Sequence, residues 1–142
     1  MFHLEQVFVY GTLRPPRSDT PPADSYYHPY IAAHVLQAAP AYLPQADLYD
    51  LGPYPAARPG TGLVCGDLLT VAPEALAVMD RIEGHPACFY RRRVRVYLEN
   101  GPVEAWIYWG PAPATAGRPR IAGGDWFQRR LEAVGPAANS GA

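Results

Sequence analysis

One segment of this chain has the full pattern of a helix with defined ends: PEALAVMDRIEG, at 73–84. Proline suits the first helical position, so we expect the helix to begin at Pro73, and Gly84 suits the left-handed residue that follows a helix. A helical wheel places four residues on one face: Leu76, Met79, Ile82 and Glu83. The pattern therefore predicts a helix that carries a carboxylate on its apolar face, beside its C-terminal end.

The remaining regular segments have the pattern of strands. Val7-Phe8-Val9-Tyr10 is a continuous apolar run, which indicates a central strand buried on both faces. Further strands are predicted at 41–50, 61–71, 88–98 and 103–109, separated by the breakers GPYP and NG and by the glycines around 60. The proline-rich segment 14–30 is expected to be a surface loop, and PAPATAGRPR at 111–120 a linker. A short helix is expected at 126–134, because Asp125 and Gln128 have capping-box spacing.

Length and composition bound the remaining organisation. A chain of 142 residues favours one domain, which we place at 1–134, with a disordered tail at 135–142. No apolar run approaches the ~20 residues that span a bilayer, and MFHLEQ lacks a basic segment followed by an apolar core. We therefore expect a cytoplasmic protein without a membrane partner. Cys65 and Cys88 are too far apart for a zinc ribbon and are expected to be buried or inert thiols.

The side-chain inventory excludes several kinds of chemistry. All twelve basic residues are arginine, so Schiff-base chemistry and a P-loop lysine are excluded. The three serines lie outside any GxSxG motif, and the four histidines form no HExxH motif or i,i+4 pair, so we expect neither a serine nucleophile nor a metal. The net charge of −1 argues against nucleic acid. Any chemistry is expected to depend on carboxylates, arginines, tyrosines and backbone amides, without a cofactor.

Glu83 is the first candidate site residue. It is either a helix-end carboxylate that is solvated or paired with an arginine, or a general acid/base. Partial burial and the negative end of the helix dipole both disfavour its charged form and raise its pKa, so it could take up a proton and return it. Asp80, at the margin of the same face, is the alternative carboxylate; it could equally orient a neighbour or cap a loop.

The strand end Tyr10-Gly11-Thr12-Leu13 is the second candidate. It is either an ordinary turn or an anion-binding turn. In the second case Gly11 lets the backbone approach a ligand, Thr12 adds a hydroxyl, and amides freed at the strand end hold a carboxylate or a developing oxyanion.

The segment FYRRRVRVYLE alternates as a strand with two faces. One face carries Tyr90, Arg92, Val94, Val96 and Leu98, and the other carries Arg91, Arg93 and Arg95. Tyr90 and Arg92 are therefore expected on the core side, where they either pair and pack or recognise a substrate carboxylate. The second face is expected to be solvated rather than to bind RNA, since no aromatic residues interleave with its arginines.

Taken together, these residues resemble the gamma-glutamyl cyclotransferase-like family. The matching segments run in order along the chain: VFVYGTLRP at 7–15, LYDLGPYPA at 48–56, VCGDLLTVAPEAL at 64–76, MDRIEGHPACFYRRRVRV at 79–96, AWIYW at 105–109 and IAGGDW at 121–126. The most specific signals are YGTL and the pairing of DxxEG with a following YxR.

The resemblance implies an α+β fold, a small mixed β-barrel with flanking helices and a cavity beside the YGTL turn. It also implies a reaction in which the α-amino group of a γ-glutamyl amine or amide attacks its own side-chain carbonyl, forming 5-oxoproline and releasing the amine. The residue that matches the acid/base is Glu83, and the matching anion-binding turn is Tyr10 to Leu13. Two other readings remain open: another amine-releasing reaction in the same pocket, and a non-catalytic module that binds small carboxylates. The leaving amine, the oligomeric state and the role of the 14–30 loop are left open as well.

Overall fold

The computed structural model describes residues 3–26 and 29–129, and this part of the chain contains five strands and three helices. In chain order they are β1 (Glu5–Val9), α1 (Pro29–Ala33), β2 (Val35–Asp50), β3 (Pro55–Val71), α2 (Pro73–Glu83), β4 (Tyr90–Leu98), β5 (Gly101–Trp109) and α3 (Ala112–Thr115). Three short 3-10 turns lie at Pro22–Asp24, Ala122–Gly124 and Trp126–Gln128. Within the described ranges, no helix combines the length and the apolar character needed to cross a membrane.

The strands close into a barrel in the order β1-β3-β2-β4-β5, which confirms the expected α+β class and mixed barrel. β1 and β5 are parallel, and the other neighbours are antiparallel. The β2–β3 and β4–β5 hairpins are paired along their lengths. In the described structure, β2 meets β4 at the pair Tyr42 and Tyr97, and β1 meets β5 at the pair Val7 and Trp106. The barrel therefore consists of two extensive hairpins and β1, joined along two narrow seams.

β1 is buried on both faces, as its apolar run predicts. Phe8, 1% exposed, packs in the core inside the barrel, while Val7 and Val9 pack with Leu76 and Met79 of α2 outside it. Full burial of each such side chain contributes roughly 1.5–3 kcal/mol. The position of β1 is thereby fixed from two sides, and so is the turn that follows it.

The β2–β3 hairpin is longer than predicted, with strands of 16 and 17 residues. The glycines around 60, expected to interrupt the chain, lie inside β3. A Cβ atom at Gly60 would collide with the side chain of Asp47, and the Gly62 N–H donates to Asp47 Oδ1 at 3.0 Å. These glycines make room for a carboxylate across the hairpin, so the strand continues through them.

Helix α2 has the predicted ends. It begins at Pro73 and is followed by Gly84 in the left-handed conformation, with a φ of 69°. Leu76 and Met79 are buried as expected. The expectation that Ile82 joins them in the core is wrong, since Ile82 is 47% exposed. The reason is that the last turn of α2 borders a cavity instead of a packed strand.

The C-terminal expectations are met in part. The segment 111–120, predicted to be a linker, contains α3. Asp125 acts as a cap, because its carboxylate accepts a hydrogen bond from the Phe127 N–H at 3.0 Å. The described part of the helix expected at 126–134 is a 3-10 turn at Trp126–Gln128, continued by one helical residue. Residues 130–134 and the tail expected at 135–142 lie outside the described residues.

The described part of the 14–30 loop is more than a surface loop. Arg14 is only 5% exposed. Its Nε donates to Asp67 Oδ2 at 2.9 Å, and its Nη1 donates to Asp125 Oδ1 at 3.0 Å. Arg17 Nη2 donates to the other Asp67 oxygen at 2.8 Å. Buried ion pairs therefore attach the start of this loop to β3.

Candidate active site

A cavity of about 320 Å³ lies at the end of β1. This volume is at the small end of the range for small-molecule sites. Four parts of the fold form its wall: the end of β1 with the following turn, the β2–β3 turn, the end of α2 with the residues after it, and β5. The lining residues are Phe8, Val9, Tyr10, Gly11, Thr12, Leu13, Tyr54, Pro55, Arg81, Ile82, Glu83, Gly84, Cys88, Phe89 and Tyr108.

The turn Gly11-Thr12-Leu13 lines this cavity. Among the described residues, nothing accepts a hydrogen bond from the N–H groups of these three residues or binds the Thr12 hydroxyl. The turn is closed by the Arg14 N–H, which donates to Gly11 O at 3.0 Å. A Cβ at Gly11 would lie 2.7 Å from Pro55 Cγ, so glycine allows the turn to pack closely against the β2–β3 turn. Successive unpaired amides suit an anion.

Tyr10 also lines the cavity, but its hydroxyl holds strands together. It donates to Tyr108 O at 2.6 Å and accepts from the Ala57 N–H at 3.1 Å. Burial, followed by the nearby charge of Glu83, raises the pKa of Tyr10, so it remains a neutral phenol. The Tyr10 side chain thereby fixes the turn between β5 and β3.

Glu83 is at the end of α2 and faces the same cavity. In the described part of the chain, its carboxylate has neither an ion-pair nor a hydrogen-bond partner. Burial raises the pKa of Glu83 to about 7. A carboxyl group with this pKa exchanges its proton readily at neutral pH. The structure thus places the two main candidates, Glu83 and the Gly11–Leu13 turn, around one space.

Asp80 has the opposite environment. Arg91 donates to both of its oxygens, at 2.7 and 3.0 Å, and the Tyr108 hydroxyl donates to Oδ1 at 2.6 Å. Burial alone would raise the pKa of Asp80, but these hydrogen bonds outweigh it and hold the pKa below its usual value. Asp80 therefore stays ionised and orients its neighbours, one of the two roles expected for it. Two carboxylates three residues apart have pKa values displaced in opposite directions.

Tyr90 and Arg92 are not brought to the cavity. The Tyr90 hydroxyl accepts from Arg58 Nη1 at 2.7 Å. Arg92 is exposed, and its guanidinium lies over the Tyr90 ring at 4.8 Å. The expectation that Arg92 faces the core is wrong, because its side chain is exposed; within the described residues, β4 pairs with β2 at Tyr97, near the other end of the strand. Arg91, expected to be solvated, is instead half-buried and paired with Asp80.

Three aromatic residues of the cavity wall were not singled out from the sequence: Tyr54, Phe89 and Tyr108. Each lies in a segment that carries the family resemblance, which is the signal that could have found them. With respect to metals, residues 3–26 and 29–129 contain no group of three or more His, Cys, Asp or Glu side chains placed to hold an ion.

The family described as gamma-glutamyl cyclotransferase, AIG2-like, matches residues 7–128, a range that contains every residue of the cavity wall. The chain belongs to the gamma-glutamyl cyclotransferase family. A Vibrio cholerae protein that carries the provisional name gamma-glutamylcyclotransferase is 36% identical over 129 residues, covering 91% of this chain and 99% of the relative.

Solved structures show the same fold for other relatives. YtfP of Escherichia coli K12, called a gamma-glutamylcyclotransferase family protein, is 28% identical over 124 residues, with 87% of this chain and 97% of YtfP covered. The solution structure of E. coli YtfP has a TM-score of 0.61 at 27% identity, with 88% and 98% covered. The crystal structure of PH0828 from Pyrococcus horikoshii has a TM-score of 0.62 at 26% identity, with 90% and 94% covered.

The environment of Glu83 predicts how the stability of this family member depends on pH. The pKa of Glu83 is raised from 4.5 to about 7 in the folded state, so the folded chain binds the proton more tightly than the unfolded chain does. The stabilisation is complete below pH 4.5 and is lost as the pH rises through 7. Glu83→Gln does not ionise, so its free energy of unfolding relative to wild type should rise by about 3 kcal/mol across this interval.

Urea unfolding of both proteins at several pH values measures this difference. Glu74→Gln, on the exposed first turn of the same helix, is the matched control and should show no such trend. If the difference in free energy of unfolding between Glu83→Gln and wild type stayed constant with pH, this result would contradict the raised pKa of Glu83.

Proposed function

We propose that this chain is a cyclotransferase that converts a γ-glutamyl amine or amide into 5-oxoproline and the free amine, with Glu83 as general acid/base. One observation carries the proposal: a partly buried carboxylate without a partner in the described structure borders the same cavity as the unpaired amides of Gly11–Leu13. The names of the Vibrio cholerae and E. coli relatives support it. We further propose a cytoplasmic location and a small-molecule γ-glutamyl substrate.

In the first step of the proposed reaction, the Glu83 carboxylate takes a proton from the α-ammonium group of the substrate. The free amine then attacks the side-chain carbonyl carbon, which closes a five-membered ring and places negative charge on the carbonyl oxygen. Because the nucleophile belongs to the substrate, the protein mainly holds the chain in a folded geometry; this proximity effect provides much of the acceleration.

In the second step, protonated Glu83 returns its proton to the nitrogen of the leaving amine. The carbon–nitrogen bond then breaks, and the oxyanion collapses to the lactam carbonyl of 5-oxoproline. The ring nitrogen, which carries a second proton after the attack, passes that proton through the Glu83 carboxylate to the released amine, which leaves as an ammonium ion. We assign the Gly11–Leu13 amides to the substrate α-carboxylate or to the oxyanion, since preorganised N–H donors stabilise either charge. Tyr90 and Arg92, which lie away from the cavity, take no part in the proposed steps.

The proposed base predicts the pH profile of the reaction. Only the ionised carboxylate accepts a proton, so kcat/KM should rise with pH and level off above a midpoint near 7, the pKa of Glu83. Initial rates of 5-oxoproline formation between pH 5 and 9 measure this limb. A profile that stays nearly flat down to pH 5 would assign the proton transfer to a different carboxylate, one with the ordinary glutamate pKa of about 4.3.

Mass-spectrometric detection of 5-oxoproline from a panel of γ-glutamyl amides in ¹⁸O-water tests the function itself. Cyclisation yields 5-oxoproline without solvent oxygen, whereas hydrolysis yields glutamate that contains one. Labelled glutamate would replace the proposal with a hydrolase. Amides that raise the melting temperature but give no product would replace it with a carboxylate-binding module.

A further inference from the structure

The cavity has an apolar wall that the proposed proton transfers do not use. Tyr54 and Pro55 contribute to it from the β2–β3 turn, Ile82 from the last turn of α2, and Phe89 from the segment before β4. Tyr54 is 44% exposed and Ile82 is 47% exposed, although both are large and apolar. The Tyr54 and Phe89 rings meet edge to face, with centroids 6.0 Å apart. Large apolar side chains left open around a cavity are typical of a ligand-contact surface.

Backbone hydrogen bonds hold this wall in place on two sides. The Leu51 N–H donates to Tyr54 O at 3.0 Å, which closes the β2–β3 turn. The Phe89 N–H donates to Glu83 O at 3.1 Å, which joins the aromatic ring to the end of α2. A wall formed in advance of binding loses little entropy when a ligand covers it.

The charges around the cavity are few. Among its lining residues two are charged, Arg81 and Glu83. Glu83 is engaged in proton transfer in the proposed reaction. Arg81 is exposed and forms no ion pair within the described residues. A leaving amine with a second positive charge would therefore find no acidic partner here and would approach a like charge.

The position of Glu83 determines which part of the substrate contacts the apolar wall. The leaving nitrogen must lie beside Glu83 to receive its proton. Ile82 precedes Glu83 in α2, and Phe89 is hydrogen-bonded to it through the backbone, so the group attached to that nitrogen lies next to both. We propose that the site selects leaving amines with an apolar aliphatic or aromatic substituent and rejects those with a second cationic group. This inference rests on the proposed function.

Two isosteric amides provide the central comparison. The γ-glutamyl N-hexylamide and N-(5-aminopentyl)amide differ only in a terminal methyl group against a terminal ammonium group, and their leaving nitrogens have similar basicity. We expect kcat/KM for 5-oxoproline formation to be roughly tenfold or more higher for the hexylamide. Equal values, or a preference for the aminopentylamide, would overturn the proposal.

Variants of exposed residues locate the preference without threatening the fold. Tyr54→Ala should lower kcat/KM several-fold more for the hexylamide than for the γ-glutamyl N-methylamide, whose leaving group is too short to cover the wall. Tyr42→Ala is the matched control, because Tyr42 is 47% exposed and does not line the cavity. Arg81→Gln should raise kcat/KM for the aminopentylamide relative to the hexylamide. If Tyr42→Ala caused the same several-fold loss of kcat/KM for the hexylamide, the effect would be due to general destabilisation. That result would overturn the proposal that the apolar wall contacts the leaving group.

Calorimetric binding of the same amides to wild type and to Glu83→Gln separates this inference from the proposed reaction. Tighter binding of the hexylamide without any 5-oxoproline supports the apolar wall and overturns the cyclisation. Production of 5-oxoproline from both amides at equal efficiency overturns the wall and leaves the cyclisation standing. Absence of binding by every amide overturns both.

Discussion

Replacing Glu83 with glutamine should lower the rate of 5-oxoproline formation by a factor of roughly 10² or more. Glutamine has the size of glutamate, so the cavity keeps its shape, but the amide accepts no proton from the α-ammonium group and returns none to the leaving amine. The affinity for the substrate should change much less than kcat, because the Gly11–Leu13 amides remain in place. Initial rates and calorimetric titration of the same preparation give the two quantities.

Glu74→Gln is again the matched control for this experiment. It makes the same chemical change on the same helix, at an exposed position that does not line the cavity. Its rate should equal that of wild type. Near-normal activity in Glu83→Gln, together with an unchanged circular dichroism spectrum, would remove Glu83 from the reaction and leave the amide turn without its proposed acid/base.

The second large effect is expected at Asp67. Its carboxylate, 3% exposed, accepts hydrogen bonds from Arg14 and Arg17. Asp67→Ala leaves Arg14 buried with Asp125 as its remaining carboxylate partner, and the removal of one partner from a buried pair costs about 3–5 kcal/mol. Urea unfolding of Asp67→Ala should show a decrease in the free energy of unfolding at the lower end of this range. Activity should fall too, since Arg14 also closes the Gly11–Leu13 turn.

Two further variants separate this explanation from a general loss of charge. Glu104→Ala breaks the ion pair with Arg95, in which both side chains are more than half exposed, and should leave the free energy of unfolding nearly unchanged. The double variant Arg14→Met with Asp67→Ala removes the buried guanidinium and should recover at least half of the lost stability. The double variant could instead lose as much free energy of unfolding as Arg14→Met and Asp67→Ala lose together. In that case an unpaired buried charge would not explain the destabilisation by Asp67→Ala.

Features of the fold that depend on local chemistry could be predicted from the sequence. The ends of α2 follow from Pro73 and Gly84, and the burial of β1 follows from an apolar run without a polar break. The continuation of β3 through Gly60 could not be predicted in this way. It depends on Asp47, a residue of the neighbouring strand whose side chain occupies the space that a Cβ would fill.

The same distinction holds for the site. Glu83 was recognisable because a carboxylate on an apolar helix face is a local anomaly. Arg92 was expected on the core side and Arg91 on the solvated side, and both expectations are wrong, because alternation along a strand gives the face but not the partner. Asp80, which pairs with Arg91, is on a different element, and the pairing of β4 with β2 at Tyr97 is likewise a contact that alternation along β4 does not reveal.

The narrow seams of the barrel have a consequence for how the molecule assembles. The β2–β3 and β4–β5 hairpins join strands that are close in the chain, so little loop entropy opposes their formation. The contact between Val7 and Trp106 joins strands at opposite ends of the domain and is expected to form late. Because the cavity wall extends from Phe8 to Tyr108, a chain still being synthesised has no complete pocket until β5 is available. We therefore expect the site to be among the last features that folding produces.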